Sequence, residues 1–406
     1  MADFYEFFAG GGMARAGLGN GWTCTFANDF SPMKANIYRE NWGDGHFNEG
    51  DIAAVKTSDL PGHPALCWAS TPCQDLSLAG NAVGLGTAEG KLTRSGAFWP
   101  WFALMQKLAA DGRKPAVIVF ENVVGALSSN SGEDFEIVSR AFVEAGYAFG
   151  AMQIDARMFL PQSRPRLFIV GYDKGQIIPS GVKMLGPQPP FHTTAIQAAY
   201  DRLPPELRES WVWWCLPQPL VRVPDFASLI EEEPTGTQWH THAETKKLLA
   251  SMSPANVDKL KQARAMGRKV VGTIYKRTRP LGKPTVKAGK KSQKKIVRAE
   301  VRFDGVAGCL RTPSGGSSRQ TVIIVEGKKV RTRLLSTREA ARLMGLPDTY
   351  KLPENYNDAY HIAGDGVAVP VVRFLSQYLL EPLVAASAVV GRTGEKKRSP
   401  RLRIAS

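Results

Sequence analysis

The sequence predicts an α/β fold, a parallel sheet with crossover helices, joined to a smaller and irregular second domain. Two observations predict it. Short β-rich apolar runs alternate with longer helical patterns over the first 172 residues. That alternation stops after Tyr172, where proline, tryptophan and lysine become frequent and no βα order can be read.

The chain has 406 residues, room for one large domain and a smaller one. Its hydrophobic fraction of 43% and charged fraction of 22% are those of a globular protein. Its net charge of +15 is not ordinary, and favours a polyanionic partner through counterion release. No cationic leader precedes a small-residue cleavage site, and no apolar run approaches the ~20 residues of a membrane span. The sequence therefore predicts neither a signal peptide nor a membrane segment. The five cysteines are scattered without C-x-x-C spacing, so a disulfide framework and a metal site are not expected, and a reducing cytoplasm fits.

Strands are predicted at 4–8, 23–27, 65–69, 116–120 and 167–170. Ser31-Pro32 offers a capping hydroxyl followed by proline at a first helical position. Residues 97–110 are apolar on one helical face and stop near Asp111-Gly112. Between 71 and 96 lies a glycine-punctuated stretch of a length that usually signals a functional loop, often a lid. The tryptophans at 211, 213 and 214 fall in the irregular region. Residues 268–302 carry lysine and arginine with Glu300 as their single acid, and a glycine/serine loop surrounds Gly315-Gly316. Ser336-Thr337-Arg338-Glu339 reads as a capping box opening a helix that ends at Gly345. A last helix is expected over 367–380. The run Lys396-Lys397-Arg398-Ser399-Pro400-Arg401 reads as a disordered basic tail.

Phe8-Ala9-Gly10-Gly11-Gly12 follows a predicted strand and precedes a helix, where glycines let a ligand approach the helix start. Arg15 stands where a dinucleotide fingerprint needs its third glycine. That argues against a pyrophosphate and leaves a smaller nucleoside cofactor, or a merely structural turn. Asp29 ends the next strand about 20 residues on, where an acid can accept ribose hydroxyls. Phe30 could stack on a base, and Asp51-Ile52 after a further short strand offers an acceptor and an apolar face.

Cys73, in Ser70-Thr71-Pro72-Cys73-Gln74, follows a strand end, an exposed position for a thiol. Cys67, inside the strand, fits a buried small hydrophobe instead. Glu121 closes a strand of five apolar residues, as either a solvated strand end or a site acid. Gln162-Ser163-Arg164-Pro165-Arg166 sends Arg164 and Arg166 to one face by strand alternation, where they could hold a phosphate or orient a base.

Phe8-Ala9-Gly10-x-Gly12, Pro72-Cys73-Gln74, Glu121-Asn122-Val123, Gln162-x-Arg164-x-Arg166 and Gly364-Asp365-Gly366-Val367 occur in this order. The chain resembles the cytosine-C5 DNA methyltransferase family over about residues 3–172 and 333–382. The resemblance implies a Rossmann-like, S-adenosylmethionine-dependent sheet domain with a smaller, irregular target-recognition domain. The expected layout is a catalytic domain over 1–172, target recognition over 173–330, a C-terminal return over 331–385 and a basic tail over 386–406. By position it assigns Cys73 as nucleophile toward cytosine C6 and Glu121 as the group engaging N3 and the exocyclic amine. It adds Arg164 as a holder of the flipped cytosine, with Arg166 beside it among the catalytic residues. Phe8, Gly10, Gly12, Asp29, Phe30, Asp51, Ile52, Pro72, Asp365 and Gly366 would line the cofactor pocket. The family usually has asparagine where Asp365 stands, and Asn-Ala where this chain has Asp155-Ala156.

The implied partner is double-stranded DNA, read by a monomeric cytoplasmic enzyme of bacterial or phage origin. A cognate restriction endonuclease is a partner such enzymes can have. The basic run over 268–302 then reads as phosphate contacts, with Arg311-Thr312 and the Gly315-Gly316 loop near base edges; the other reading is a solvated charged surface. Two further functions compete: an RNA cytosine methyltransferase, and a catalytically silent DNA-binding regulator of the same fold.

Overall fold

Strand β1 (Ala2–Phe7) buries Phe4, Tyr5 and Phe7, on both of its faces. A strand apolar on both faces belongs inside a sheet covered by helices on either side. β2 (Trp22–Asp29), β3 (Phe47–Glu49), β4 (Leu66–Ser70) and β5 (Val117–Asn122) follow, with all six residues of β5 buried. β6 (Tyr147–Asp155) and β7 (Pro165–Asp173) complete a seven-stranded sheet in the order β3-β2-β1-β4-β5-β7-β6.

The structure, a computed structural model, describes residues 1–72, 87–88, 91–92, 94–220, 223–287, 290–312 and 319–395. They form two compact units. The first comprises Met1–Asp155, Pro165–Leu220 and the chain from Val369; the second comprises Ala156–Arg164 and Val221–Ala368. Residues 173–220 thus pack with the large sheet, and 331–368 with the smaller unit.

The sheet is not wholly parallel, as the sequence led us to expect. β5 and β7 pair antiparallel, and so do β6 and β7. The link between β6 and β7 is too short for a parallel crossover, which needs a dozen or more residues. The other pairs are parallel. β1 lies between β2 and β4, so the chain winds outward in one direction through β3 and then in the other from β4. That reversal opens a crevice at the carboxyl ends of β1 and β4, where such sheets bind ligands.

The helices of this unit include α1 (Met13–Leu18), α2 (Pro32–Trp42), α3 (Phe98–Ala110), α4 (Glu133–Glu144) and α5 (Thr194–Arg202). α2 starts with proline as expected, but the Ser31 hydroxyl does not cap it. Phe98, Trp101 and Phe102 of α3 pack against Phe120 and Phe142 in an aromatic core. Trp211 and Trp213 pack there too, Trp211 lying 5.3 Å from both Phe149 and Tyr200. The last helix starts at Val369, passes through a wide turn over Ser376–Leu380 and continues over Glu381–Glu395. It outruns the expected end at Leu380, and the basic run from Lys396 lies outside the described residues. The helical stretch Tyr356–Ala388 is long and apolar enough to cross a membrane by composition, yet 56% of its apolar window is buried, as in a core helix.

The smaller unit is more regular than its sequence suggested. β8 (Lys269–Lys287), β9 (Lys290–Arg302), β10 (Thr321–Glu326) and β11 (Lys329–Leu334) form an antiparallel sheet in the order β9-β8-β10-β11. Long lysine and arginine side chains had hidden the strand period. α6 (His242–Ala250) and α7 (Pro254–Ala265) supply Leu248, Leu260 and Ala263 to a core with Ile274, Ala299, Val301, Ile323 and Val325. α8 (Thr337–Leu343) opens on the expected capping box, the Ser336 hydroxyl accepting from Glu339 N at 3.1 Å. Glu339 also forms a fully buried two-point pair with Arg333, at 2.6 and 2.8 Å. α9 (Tyr356–Asp365) ends at the Gly364-Asp365-Gly366 motif.

Candidate active site

The chain leaves β1 through a tight turn at the sheet's carboxyl edge. Phe8, Gly10 and Gly12 all adopt left-handed backbone, at φ 57°, 56° and 75°. For Phe8 that conformation is uncommon in a non-glycine residue and costs energy. At Gly12 no side chain is tolerable, because a Cβ there would sit 2.3 Å from Trp42 Nε1. That indole N–H donates to the Gly11 carbonyl at 3.0 Å.

Asp29 fixes the turn from the neighbouring strand. Its Oδ2 accepts from Gly10 N and its Oδ1 from Ser31 N, both at 2.9 Å, and the carboxylate is buried. Each oxygen keeps a second acceptor direction for a ligand. Asn28 reaches across to the third strand, donating to the Gly50 carbonyl at 2.9 Å. Asp51 follows that strand and caps a short helical turn, accepting from Ala53 N at 2.9 Å, while Ile52 is packed into the core. Phe30 presents its ring to solvent, 66% exposed beside buried Asp29. A Cβ placed on Gly10 would meet nothing within 4 Å. Open space, a buried carboxylate and an exposed aromatic ring together fit a nucleoside ligand.

Behind the turn lies a polar cluster that the sequence reading missed. The Arg15 guanidinium stacks 4.9 Å over the Trp42 ring and donates to Tyr38 Oη at 3.0 Å, with His46 also in contact. Arginine at the position of a third glycine is thus a support for the turn. Glu6, 1% exposed on β1, accepts from Arg15 N at 3.3 Å. Burial raises its pKa to about 8, against the lowering pull of the Arg15 amide and guanidinium. Nothing in local sequence marks this cluster, because its members meet only through the packing of α1 and α2 on β1.

On the other side of the crevice, β4 delivers Ser70, Thr71 and Pro72. Ser70 is in register with Glu121 on β5. The Asn122 amide donates to Thr71 Oγ1 at 2.9 Å, locking the end of β4 to the end of β5. Cys73, the next residue after Pro72, lies outside the described residues, as does most of the glycine-punctuated stretch behind it. Cys67, six residues earlier in the chain and on β4, is fully buried, and burial drives its thiol well above the ordinary range.

Glu121 is buried, and Arg166 Nε from β7 lies 3.4 Å from its Oε1. An antiparallel β7 makes this meeting feasible, since it runs the start of that strand past the end of β5. Arg164 behaves differently. Its guanidinium is 1% exposed within the smaller unit and donates to the carbonyls of Leu310, Gly364 and Gly366 at 2.9, 2.7 and 2.6 Å. Strand alternation gave the two arginines one role; their partners give them two. Gln162 is likewise buried, donating to the Leu343 carbonyl at 2.6 Å and accepting from Leu310 N at 3.2 Å. In the same unit Asp365 lies 3.4 Å from His361. Gly364 sits where a Cβ would be 2.8 Å from the Arg311 carbonyl carbon, so the motif's first glycine is a packing requirement. The Gly315-Gly316 loop lies outside the described residues.

A doubly wound sheet that sets an open glycine turn and the buried Asp29 on one side of its switch point, and Glu121 with Arg166 on the other, is the frame of a group-transfer enzyme acting on nucleoside-like ligands. Residues 2–381 match the family model described as C-5 cytosine-specific DNA methylase. The chain belongs to that family: it is a DNA (cytosine-5-)-methyltransferase, with S-adenosylmethionine as methyl donor and DNA as substrate. Among its relatives is the Type II methyltransferase M.HhaI of Haemophilus parahaemolyticus, 26% identical over 92% of each chain. Another is M.NlaX of Neisseria lactamica, 25% identical over 95% of this chain and 99% of that one. The fold is similar to that of S. pombe Dnmt2 methyltransferase, with a TM-score of 0.56 at 16% identity over 94% of this chain and 99% of that chain.

Proposed function

We propose that the enzyme methylates C5 of a cytosine flipped out of a specific duplex sequence, through a covalent bond between Cys73 and C6. The observation that carries this reading is the pairing of buried Glu121 with Arg166, Glu121 being in register with Ser70 on the strand that leads through Pro72 to Cys73. Cytosine C5 is too weak a nucleophile to take a methyl group unaided. The Cys73 thiolate forms a bond to C6, and the C5–C6 π electrons form the new bond from C5 to the methyl carbon. Glu121 hydrogen-bonds N3 and the exocyclic amine, favouring the charge that builds during addition, and Arg166 holds Glu121 in place. Loss of the C5 proton to a base then expels the Cys73 thiolate and restores the ring.

S-adenosylmethionine would supply the methyl group as an electrophile at a sulfonium, the methyl–sulfur bond breaking with its electron pair kept by sulfur, which leaves as a neutral thioether. Gly10 and Gly12 would admit it close to the backbone, Asp29 would accept its ribose hydroxyls, and Phe30 would stack on its adenine. Asp51, Ile52, Phe8 and Pro72 would complete the lining. The parts of Asp365 and Gly366 in that lining rest on the family resemblance alone. The carbonyl cage around Arg164 supports a positioning role for it rather than contact with the base. The sheet unit would carry the chemistry and the smaller unit the recognition of the target sequence.

Duplex DNA containing 5-fluorocytosine tests the reading, because fluorine cannot leave C5 as a cation. With cofactor present, the wild-type protein should form an adduct that survives denaturation, and Cys73→Ser should form none. Absence of any adduct across cytosine-rich duplexes of varied sequence rejects the mechanism. An adduct that persists in Cys73→Ser rejects the nucleophile, and faster turnover on tRNA than on DNA rejects the substrate.

A further inference from the structure

β8 and β9 continue well past the sheet that anchors them. β8 pairs with β10 only over Lys269 to Ile274, whereas its pairing with β9 runs from Thr273 to Lys287. Residues 275–287 and 290–300 therefore form a two-stranded ribbon with no third strand among the described residues. At ~3.3 Å per residue it extends for about 40 Å. The core ends where the ribbon begins: Ile274, Ala299 and Val301 are buried, while Val297 is 52% exposed.

Ten lysines and arginines lie on these two segments against one acid, Glu300. Glu300 receives Arg279 at 2.5 Å and Arg277 at 3.6 Å, and one carboxylate cannot neutralise ten cations. The register places Arg277 directly across from Arg298, and Leu281 across from Lys294. Cross-strand partners share a face, so Arg277, Arg279, Lys294 and Arg298 project from the same side. Like charges directly opposed destabilise a sheet, and a lone hairpin is marginal in water. Protection of a sheet edge explains a proline such as Pro280 and scattered lysines. It does not explain an arginine facing an arginine.

We propose that this ribbon is a phosphate-gripping arm that lies along duplex DNA for about one helical turn, roughly 34–36 Å. It supplies affinity that does not depend on sequence. The arm deepens the methyltransferase reading, and rests on it for the choice of duplex DNA as partner. A polyanion relieves the Arg277–Arg298 repulsion, and each phosphate neutralised releases a counterion. The four cations of one face, acting together, should raise the dependence of binding on salt by about 0.9 per phosphate contacted.

The test measures equilibrium binding of the full chain to a labelled 30-base-pair duplex of arbitrary sequence, across a salt series. In the variant Arg277→Ser/Arg279→Ser/Lys294→Ser/Arg298→Ser the slope of log affinity against log salt should fall by about 3 to 4. Affinity at 150 mM salt should fall tenfold or more, with turnover at saturating DNA and the methylated sequence unchanged. Arg277→Lys/Arg279→Lys/Arg298→Lys should keep the wild-type slope, which separates lost charge from lost folding. Lys56→Ser/Lys107→Ser/Lys174→Ser/Lys183→Ser, which removes four exposed cations from the other unit, should also keep it. A slope change below 1 in the ribbon variant overturns the arm, as does an equal fall in that control. So does a larger fall on duplex RNA than on DNA. Binding to arbitrary DNA is read without methyl transfer, so an enzyme lacking the covalent adduct sinks the mechanism and leaves the arm to stand or fall separately.

Discussion

Glu6 and Glu300 show how differently two parts of the molecule use charge. Glu6 sits under the Phe8–Gly12 turn, where burial holds its carboxyl up to about 8. Glu300 sits on the ribbon, where hydrogen bonding to Arg279 lowers its pKa and Arg277 adds to the effect. The first environment keeps charge out except where a partner is built for it: Asp29 with two amides, Glu121 with Arg166. The second gathers ten cations against one acid along its two strands. Chemistry needs each group fixed within a fraction of an ångström, so its groups are buried and individually bonded. Gripping a phosphate backbone needs only a sufficient number of cations on one side. Single substitutions should therefore be severe at the sheet edge and mild on the ribbon.

The largest effect is expected at Glu121. Glu121→Gln keeps the shape and an oxygen facing Arg166 but removes the proton-linked contact with the base that the proposed mechanism assigns to Glu121. We expect kcat to fall by about 10² to 10⁴-fold, with binding of DNA and cofactor within threefold of wild type. A fall below tenfold would mean that the carboxylate only braces Arg166, and the contrast with the ribbon would weaken.

Much of the sheet edge was legible because its constraints are local. The turn from Phe8 to Gly12, the acid at Asp29 and the strand ends at Pro72 and Glu121 are each set by a strand followed by a turn. What stayed hidden depends on distant partners. A period of two places Arg164 and Arg166 on one face, but cannot foretell that the first meets main-chain carbonyls of Leu310 and Gly364 and the second Glu121. The strand Tyr147–Asp155 went unread because Ala148, Gly150 and Ala151 blur its alternation. The ribbon went unread because its outward positions and many of its inward ones are both basic. Arg15, Trp42 and Glu6 converge from three elements, with no shared motif to announce them.

A smaller effect, and one with a pH signature, is expected at Glu6. Its folded pKa of about 8 lies above its ordinary value of 4.5. A group shifted that way favours folding at low pH, and the advantage is lost as pH rises through the folded value. The stability of the wild type relative to Glu6→Gln should therefore fall between pH 5 and pH 8.5. Melting temperatures at those two values should diverge by about 2 °C or more in favour of the variant at high pH. A difference that is flat with pH, or that grows in favour of the wild type, would show that Glu6 is ionised beneath the turn.

The smallest effect is expected from one ribbon cation. Arg298→Ser removes one of four cations from the arginine face and also relieves its opposition to Arg277. The salt slope for arbitrary duplex DNA should fall by about 1, and affinity should weaken a few-fold, uniformly over sequences. Stability should hold or rise slightly, since a repulsive cross-strand pair has gone. A loss as large as that of the four-site variant would make Arg298 a specific anchor, fixed like Glu121. The two regions would then differ in exposure but not in the way they use charge.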